Sequence, residues 1–471
     1  MDLTLSHWLY GLFTVIIIVT MIFRKGVVLP TILGTFVIAW VYTDDLITGF
    51  TAIFNANLVA AQELFSIFLI IMFMLALLNS LRDLGADKRM IEPVQKLMIN
   101  GHVSFFVLAI VTYVISLFFW PTPAVPLICA LLVPAAVRAG LPAMTAAVAI
   151  AIAGQGMALS SDYIVQVAPN LTGTAAGLDT AVVADKALVL SLISGIVALG
   201  LAYLFYRKSI RSKDNKRNTE DLQNLQTSDE PTNTPQTVHL NTWSKIFAVL
   251  VPVSLLLVVV VMLHNKLTSG EGGLVGGDGA AFVGGVAAIL LLMSTLAFGR
   301  AEALNYITNH ITDGFVFAFK AMGPVIPIAA FFFLGSADFA GDILGLEEAP
   351  SFLFGLIESV QDYLPQSAIF AAFSVLIIGI ITGLDGSGFS GLPLTGTLAA
   401  TLETASIDAA TLAAIGQLGS IWTGGGTLIA WSSLIAIAGL CGVSVMDLVR
   451  KNFLPVMIGL IVATLAAVLF L

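Results

Sequence analysis

Apolar runs of about 20 residues, the length a helix needs to cross about 30 Å of hydrocarbon, recur along the whole chain. They fall at roughly 8–23, 27–43, 64–81 and 187–206 in the first half, and at 244–263, 280–298, 313–337 and 453–471 in the second. Only 10% of the 471 residues are charged and 58% are hydrophobic, against about 25% charged in soluble domains, so a water-soluble fold is excluded. A β-barrel would alternate apolar and polar positions, which these runs do not. The sequence therefore predicts an all-α polytopic membrane protein with about ten spanning helices. The two cysteines, Cys129 and Cys441, both lie inside apolar segments, which excludes a disulfide framework and a cysteine-ligated zinc site. The first run has no basic region before it and no small-residue cleavage site after it, so it is expected to be a retained span.

The one long polar segment, Arg207 to Lys245, is rich in Lys, Asn, Thr, Asp, Gln and Pro and is expected to be a disordered linker. It divides the chain into 1–206, a linker at 207–243, and 244–471. Basic residues set the orientation. With the linker cytoplasmic, seventeen of the twenty Lys and Arg fall on its side, Lys186 and Lys266 fall opposite, and Lys320 lies inside a span. That distribution requires 103–138 and 366–404 each to return to the side they left, so both are expected to be re-entrant hairpins, and both termini lie outside. The hairpin tips fall near Trp120-Pro121-Thr122-Pro123 and at Gly383 to Gly391. Each half then holds two spans, a third ending in an interfacial stretch, a hairpin, a broken helix (142–170 and 408–440) and a closing span. The halves run in opposite directions, forming an inverted repeat, which is a transporter signature.

Non-helical chain at membrane depth survives only where protein or a wet cavity satisfies its backbone, so the interruptions mark the site. Four are expected: Pro121 to Pro126, Gly154 to Asp162, Gly383 to Gly391 and Gly416 to Gly426. Helix ends exposed there present N–H groups to anions and carbonyls to cations. The candidate substrate- and ion-binding side chains are Thr122 on the first tip, Gln155, Ser160, Ser161 and Asp162 at the first break, Asp385, Ser387, Ser390 and Thr395 on the second hairpin, and Gln417 and Thr423 at the second break. Hydroxyls, free carbonyls and a carboxylate suit Na+, with Asp162 and Asp385 the candidate ligands, while a carboxylate in low dielectric can carry a proton instead. The serines and threonines could equally back-bond to their own helices, and the glutamines could equally join helices. Lys320 could pair with an anionic substrate or with one of the two aspartates, but it lies close to a span end, where snorkelling to the interface is the simpler reading.

Other classes fit less well. Gly388-Phe389-Ser390-Gly391 matches the Gly-x-Ser-Gly of rhomboid proteases, but all five histidines lie at span ends or in the linker, out of reach of Ser390. No Gly-x-Gly-Asp element and no phosphate-binding Gly-x-x-x-x-Gly-Lys-Ser/Thr occurs, so neither an aspartyl protease nor an ATP motor is expected. A channel usually builds its pore from rotational symmetry among subunits, which two inverted halves do not describe. No nucleic-acid partner is expected.

Several stretches carry a family resemblance: Leu131 to Gly140 with the Gly154-Gln155-Gly156 break, Gly391-Leu392-Pro393-Leu394-Thr395, Ala438 to Ser444, and Asn452-Phe453-Leu454-Pro455. With the layout of hairpin and broken helix, they make nearly the whole chain resemble the ion transporter superfamily. That superfamily includes divalent-anion/sodium symporters, gluconate permeases, sodium/proton antiporters and the large membrane subunit of TRAP transporters. The resemblance implies an elevator mechanism, in which hairpins and broken helices move against a scaffold that mediates dimerisation and the tips bind an ion and a carboxylate-bearing substrate. Pro-Thr-Pro and Asp-Gly-Ser-Gly stand at the tips where the divalent-anion symporters carry paired Ser-Asn-Thr motifs. The expected function is a secondary active transporter of the inner (plasma) membrane, coupling Na+ or H+ to a small organic anion, with no other cofactor. A cation/proton antiporter and a TRAP-like large subunit with separate accessory proteins are the alternatives.

Overall fold

The structure, a computed structural model, describes the chain except for residues 1–2, 24, 228–241, 270–276, 336, 348–349, 353–354, 357–358, 360–366, 386–387 and 430–432. Among the described residues it is all-helical, with one isolated bridge between Thr404 and Ile407. Among the described residues five helices are long and apolar enough to cross a membrane, or up to eight if each of three bent pairs is one span, and four shorter apolar helices accompany them.

The first half opens with α1 (Leu5–Ile22), α2 (Val28–Thr43) and α3 (Leu46–Leu84). The sequence predicts a span at 64–81, and the structure instead continues one helix back to Leu46, where the Asp45 carboxylate accepts from the amides of Ile47 and Thr48 and fixes the start. A short α4 (Ala86–Gln95) leads to the arms of the first hairpin, α5 (Gly101–Phe119) and α6 (Pro121–Arg138). Then come α7 (Ala143–Ser161), whose residues Ala151–Ala158 widen into π turns, α8 (Val167–Ala176) and the closing α9 (Thr180–Tyr206).

The linker departs from expectation. Lys216–Thr227 is a helix, α10, packed on the base of the first hairpin. The amide of Arg211 donates to the Gly140 carbonyl at 2.9 Å, Arg211 pairs with Asp221 at 3.0 Å, and the Asn218 amide donates to the carbonyls of Ser212 and Lys213. Polar composition predicts a solvated chain, but here the polar groups satisfy one another against the hairpin base, so order extends through Thr227; 228–241 lies outside the described residues.

The second half repeats the parts in order: α11 (Thr242–Ser269), α12 (Gly277–Gly299), α13 (Ala303–Met322) with α14 (Val325–Phe333), α15 (Ala337–Leu344), hairpin arms α16 (Ala368–Thr382) and α17 (Leu392–Thr401), α18 (Ala409–Trp422) ending in π turns at Thr423–Thr427, α19 (Ser433–Leu440), and the closing α20 (Val445–Phe470). Even the bends correspond, since Leu46–Glu63 meets Phe68–Leu84 at 52° and Ala303–Lys320 meets Val325–Phe333 at 52°.

Two bodies result. In one, α2, α12, α13, α14 and α15 pack around the long α3. In the other, the hairpins, broken helices and closing helices pack together, with α9 against α20 and α18 against α16, α17 and α9. The broken helices form the centre of this second body: 94% of the α7 span is buried, against 33–39% for the other long spans, and every residue of α18 is buried. Small side chains permit that. A Cβ on Gly379 would strike the Gly416 carbonyl, one on Gly419 would lie 2.6 Å from the Leu376 carbonyl, and one on Gly424 would strike the Gly388 amide. Gly424→Ala is therefore expected to lower the unfolding free energy by about 2 kcal/mol through overpacking. Gly200→Ala, in the interior of α9 with nothing within 4 Å of its Cβ, is expected to raise it by about 0.5–1 kcal/mol. Thermal unfolding of the detergent-solubilised variants checks the opposite signs.

Candidate functional site

Tip one is a single residue. The sequence predicts unwound chain over Pro121 to Pro126, but the structure starts α6 at Pro121 and leaves only Trp120 non-helical, with φ 57°. Proline in the first turn gives up an amide that would have no intrahelical partner anyway, so Pro121 and Pro123 begin the helix rather than break it, and α6 bends by 45° between Pro121–Cys129 and Leu131–Arg138. The first break also lies later than expected. From Gly154 the chain stays coiled, as π turns, and leaves the helix only at Asp162 (φ 38°), to re-enter one at Val167 after Gln166 (φ 60°). At the second break the helix continues regularly through Gly416 and Gly419 and unwinds at Gly426 (φ 117°).

Asp162 ties the first tip to the first break. Its Oδ1 accepts from the Trp120 indole Nε1 at 3.1 Å, and its Oδ2 accepts from the Ala168 amide at 2.8 Å, with the Val167 amide a third donor. The carboxylate thus caps the N-terminus of α8, where free amides and the helix dipole favour negative charge. Trp120 in turn stacks on Phe389 of the second tip, with ring centroids 5.4 Å apart and planes 26° apart.

The second tip rests on the second break backbone to backbone. A Cβ on Gly388 (φ 74°) would lie 3.0 Å from the Gly425 amide nitrogen, and the Ser420 hydroxyl donates to the Gly388 carbonyl at 3.1 Å. The two breaks also cross each other. A Cβ on Gly425 would lie 3.0 Å from the Gln155 carbonyl, and one on Gly156 would strike the Trp422 ring. Both tips and both breaks therefore meet at one junction.

The sequence candidates divide at this junction. Gln417 is a strut between the halves: its Nε2 donates to the Ser160 carbonyl at 2.8 Å and its Oε1 accepts from the Thr172 hydroxyl at 3.2 Å. Gln155, fully buried, has no hydrogen-bond partner for either amide atom among the described residues. Ser161, Thr395 and Thr423 donate to the carbonyls of Ala158, Leu392 and Gly419 in their own helices, while Ser160 donates to the Ser191 hydroxyl at 3.1 Å. Thr122 is exposed and shares a 3.1 Å hydrogen bond with Ser433 at the start of α19. Ser390 is buried beside Phe389, Asp385 ends the short 3-10 turn Gly383–Asp385, and Ser387 lies outside the described residues. Lys320 sits in the last turn of α13. Among the described residues no three His, Cys, Asp or Glu side chains group to hold a metal ion.

The candidates read from sequence omit Trp120, Phe389 and Asn452, which the structure places at the junction. Asn452 is buried and donates its amide to the Thr427 carbonyl at 3.1 Å, inside the second break. A tryptophan before Pro-x-Pro and an asparagine inside an apolar span were the available signals.

The fold and the apolar helices define a multi-pass membrane protein. The chain belongs to the family of the Bacillus subtilis (strain 168) "Uncharacterized membrane protein YhfA", to which it is 36% identical over 470 residues, 99% of this chain and 98% of that one. No family model matches the chain. Its fold is that of the Alcanivorax borkumensis YdaH transporter, whose crystal structure superposes with a TM-score of 0.55 over 90% of this chain and 88% of that chain, at 12% identity.

The two glutamines are expected to separate in a stability assay. Gln417→Ala removes two buried hydrogen bonds between the halves and should cost about 2–4 kcal/mol. Gln155→Leu replaces an unpaired buried amide with an apolar group of similar size and should leave thermal stability unchanged or raise it, read as melting temperature in detergent.

Proposed function

We propose that the protein is a secondary active transporter, not an enzyme, in which an Na+ or H+ gradient drives a small organic anion across the cytoplasmic membrane by movement of the second body against the first. The fold it shares with a transporter supports this reading, as does the meeting of two tips and two breaks at one junction. In transporters built of discontinuous helices, half-helix N-termini face anionic groups of the substrate.

One observation carries the choice of an anion. The two halves place equivalent half-helices, α8 and α19, after their breaks. The N-terminus of α8 already holds a carboxylate, that of Asp162. In the second half no acidic residue occurs between Thr423 and Ser433, and the N-terminus of α19 meets the exposed Thr122 of the first tip through Ser433. Asp162 is thus an internal template: the carboxylate the chain supplies to one half-helix is what a substrate supplies to the other. Because both Asp162 oxygens already accept from amide and indole donors, we assign coupling-ion binding to Asp385. The distribution of Lys and Arg supports a cytoplasmic linker with both termini outside.

A carboxylate screen by thermal shift, with and without sodium at two pH values, identifies the substrate, and uptake into proteoliposomes then tests the assignment. Ser433→Asp puts a carboxylate on the second half-helix and is expected to reduce uptake at least about tenfold without lowering thermal stability, since an acidic N-terminal residue suits a helix. Normal uptake by Ser433→Asp contradicts the assignment. Asp385→Asn is expected to abolish the dependence of uptake on the ion gradient while leaving the fold intact; gradient-driven uptake at the wild-type rate removes Asp385 from the coupling.

A further inference from the structure

Arg82 ends α3, the central helix of the first body, and reaches into the second. Its Nη2 donates to the Pro123 carbonyl at 2.7 Å, and Pro123 lies three residues after Trp120 in the first turn of α6. A second side chain clips the same arm, where Gln95 of α4 donates its Nε2 to the Leu131 carbonyl at 2.9 Å. Elsewhere around the tip the two bodies meet through apolar groups: Ile71, Met74 and Leu75 of α3 face Phe119 and Trp120 across a small cleft. Apolar surfaces slide past one another with little directional preference, whereas a guanidinium–carbonyl bond holds only within a few tenths of an ångström and a narrow angle. The polar contact is therefore what fixes the tip's height against α3. Asp83, which pairs with His310 at 3.3 Å, and the buried Asp87 stand beside the guanidinium and keep the cation from being buried alone.

We infer that Arg82 is a latch for the first hairpin, a positioning residue that holds Pro123, and through Trp120 also Asp162 and Phe389, in the arrangement seen here, and that must let go before the tip can move. The inference rests on the proposed movement of the second body, but its test does not use transport. The reporter sits on the boundary: Met74, buried on α3 in the cleft that faces Phe119 and Trp120, is changed by Met74→Cys, with Cys129→Ala and Cys441→Ala removing the two native thiols. Alkylation of the introduced thiol by N-ethylmaleimide, followed by mass spectrometry, reads how often the tip leaves α3.

Arg82→Gln is expected to speed alkylation about tenfold or more, the range for losing one hydrogen bond from a charged donor. Arg82→Lys, which can still donate to the carbonyl, is expected to return most of that change, with melting temperatures alike in all three proteins. Equal rates for Arg82 and Arg82→Gln overturn the latch. So do equal accelerations in Arg82→Gln and Arg82→Lys accompanied by lowered melting temperatures, because a merely structural role predicts that pattern. A rate difference with no uptake of any carboxylate leaves the latch standing and removes the transport reading.

Discussion

Backbone amides and carbonyls left unpaired in hydrocarbon cost several kcal/mol each, and the architecture follows from how this chain satisfies them at its two helix breaks. The two solutions differ. At the first break a side chain answers, as the Asp162 carboxylate takes up the first amides of α8 and the indole of Trp120 together. At the second, glycine answers: Gly424 to Gly426 let the chain run so close to the second tip that backbone packs on backbone, and Asn452 and Ser420 reach the carbonyls of Thr427 and Gly388. Left-handed conformations at Asp162 and Gln166 each cost about 1–2 kcal/mol, and the fixed carboxylate offsets that cost.

The same contacts make the junction a mechanical unit. Trp120 is bonded to one break and stacked on the opposite tip, Gln417 spans from one broken helix to the other, and the π segments cross where Gly156 receives Trp422. Displacing either tip therefore disturbs both breaks. Between the bodies the contacts are fewer, with α3 against α5, α14 against α17 and α4 against α6. For the movement proposed above, tight coupling within one body and fewer contacts across the boundary favour rigid-body displacement over local rearrangement.

Much of this was legible in the sequence. Run length and the scarcity of charge gave the all-helical membrane class, and apolar runs interrupted by Gly and Pro pointed to the regions that hold the junction. What could not be read was which interruption unwinds. Pro121, Pro123 and Pro126 look like breakers, yet at the start of a helix the first of them is tolerated and the helix runs on. Gly416 and Gly419 look like breakers too, but serve close helix packing on α16. Nor does composition reveal that Arg207–Thr227 would find partners on the hairpin base, because Arg211 and Gly140 are far apart in the chain. Gln155 and Gln417 sit in similar Gly-Gln-x surroundings, and only tertiary contacts distinguish a satisfied strut from an unpaired amide.

The account stands on the junction being where cargo is held. An experimental structure determined with the identified carboxylate at saturating concentration tests that most directly. The carboxylate group is expected at the first turn of α19, within hydrogen-bonding distance of Ser433 and Thr122. Density for the ligand confined to the outer faces of the two bodies, with the start of α19 unchanged, would contradict it.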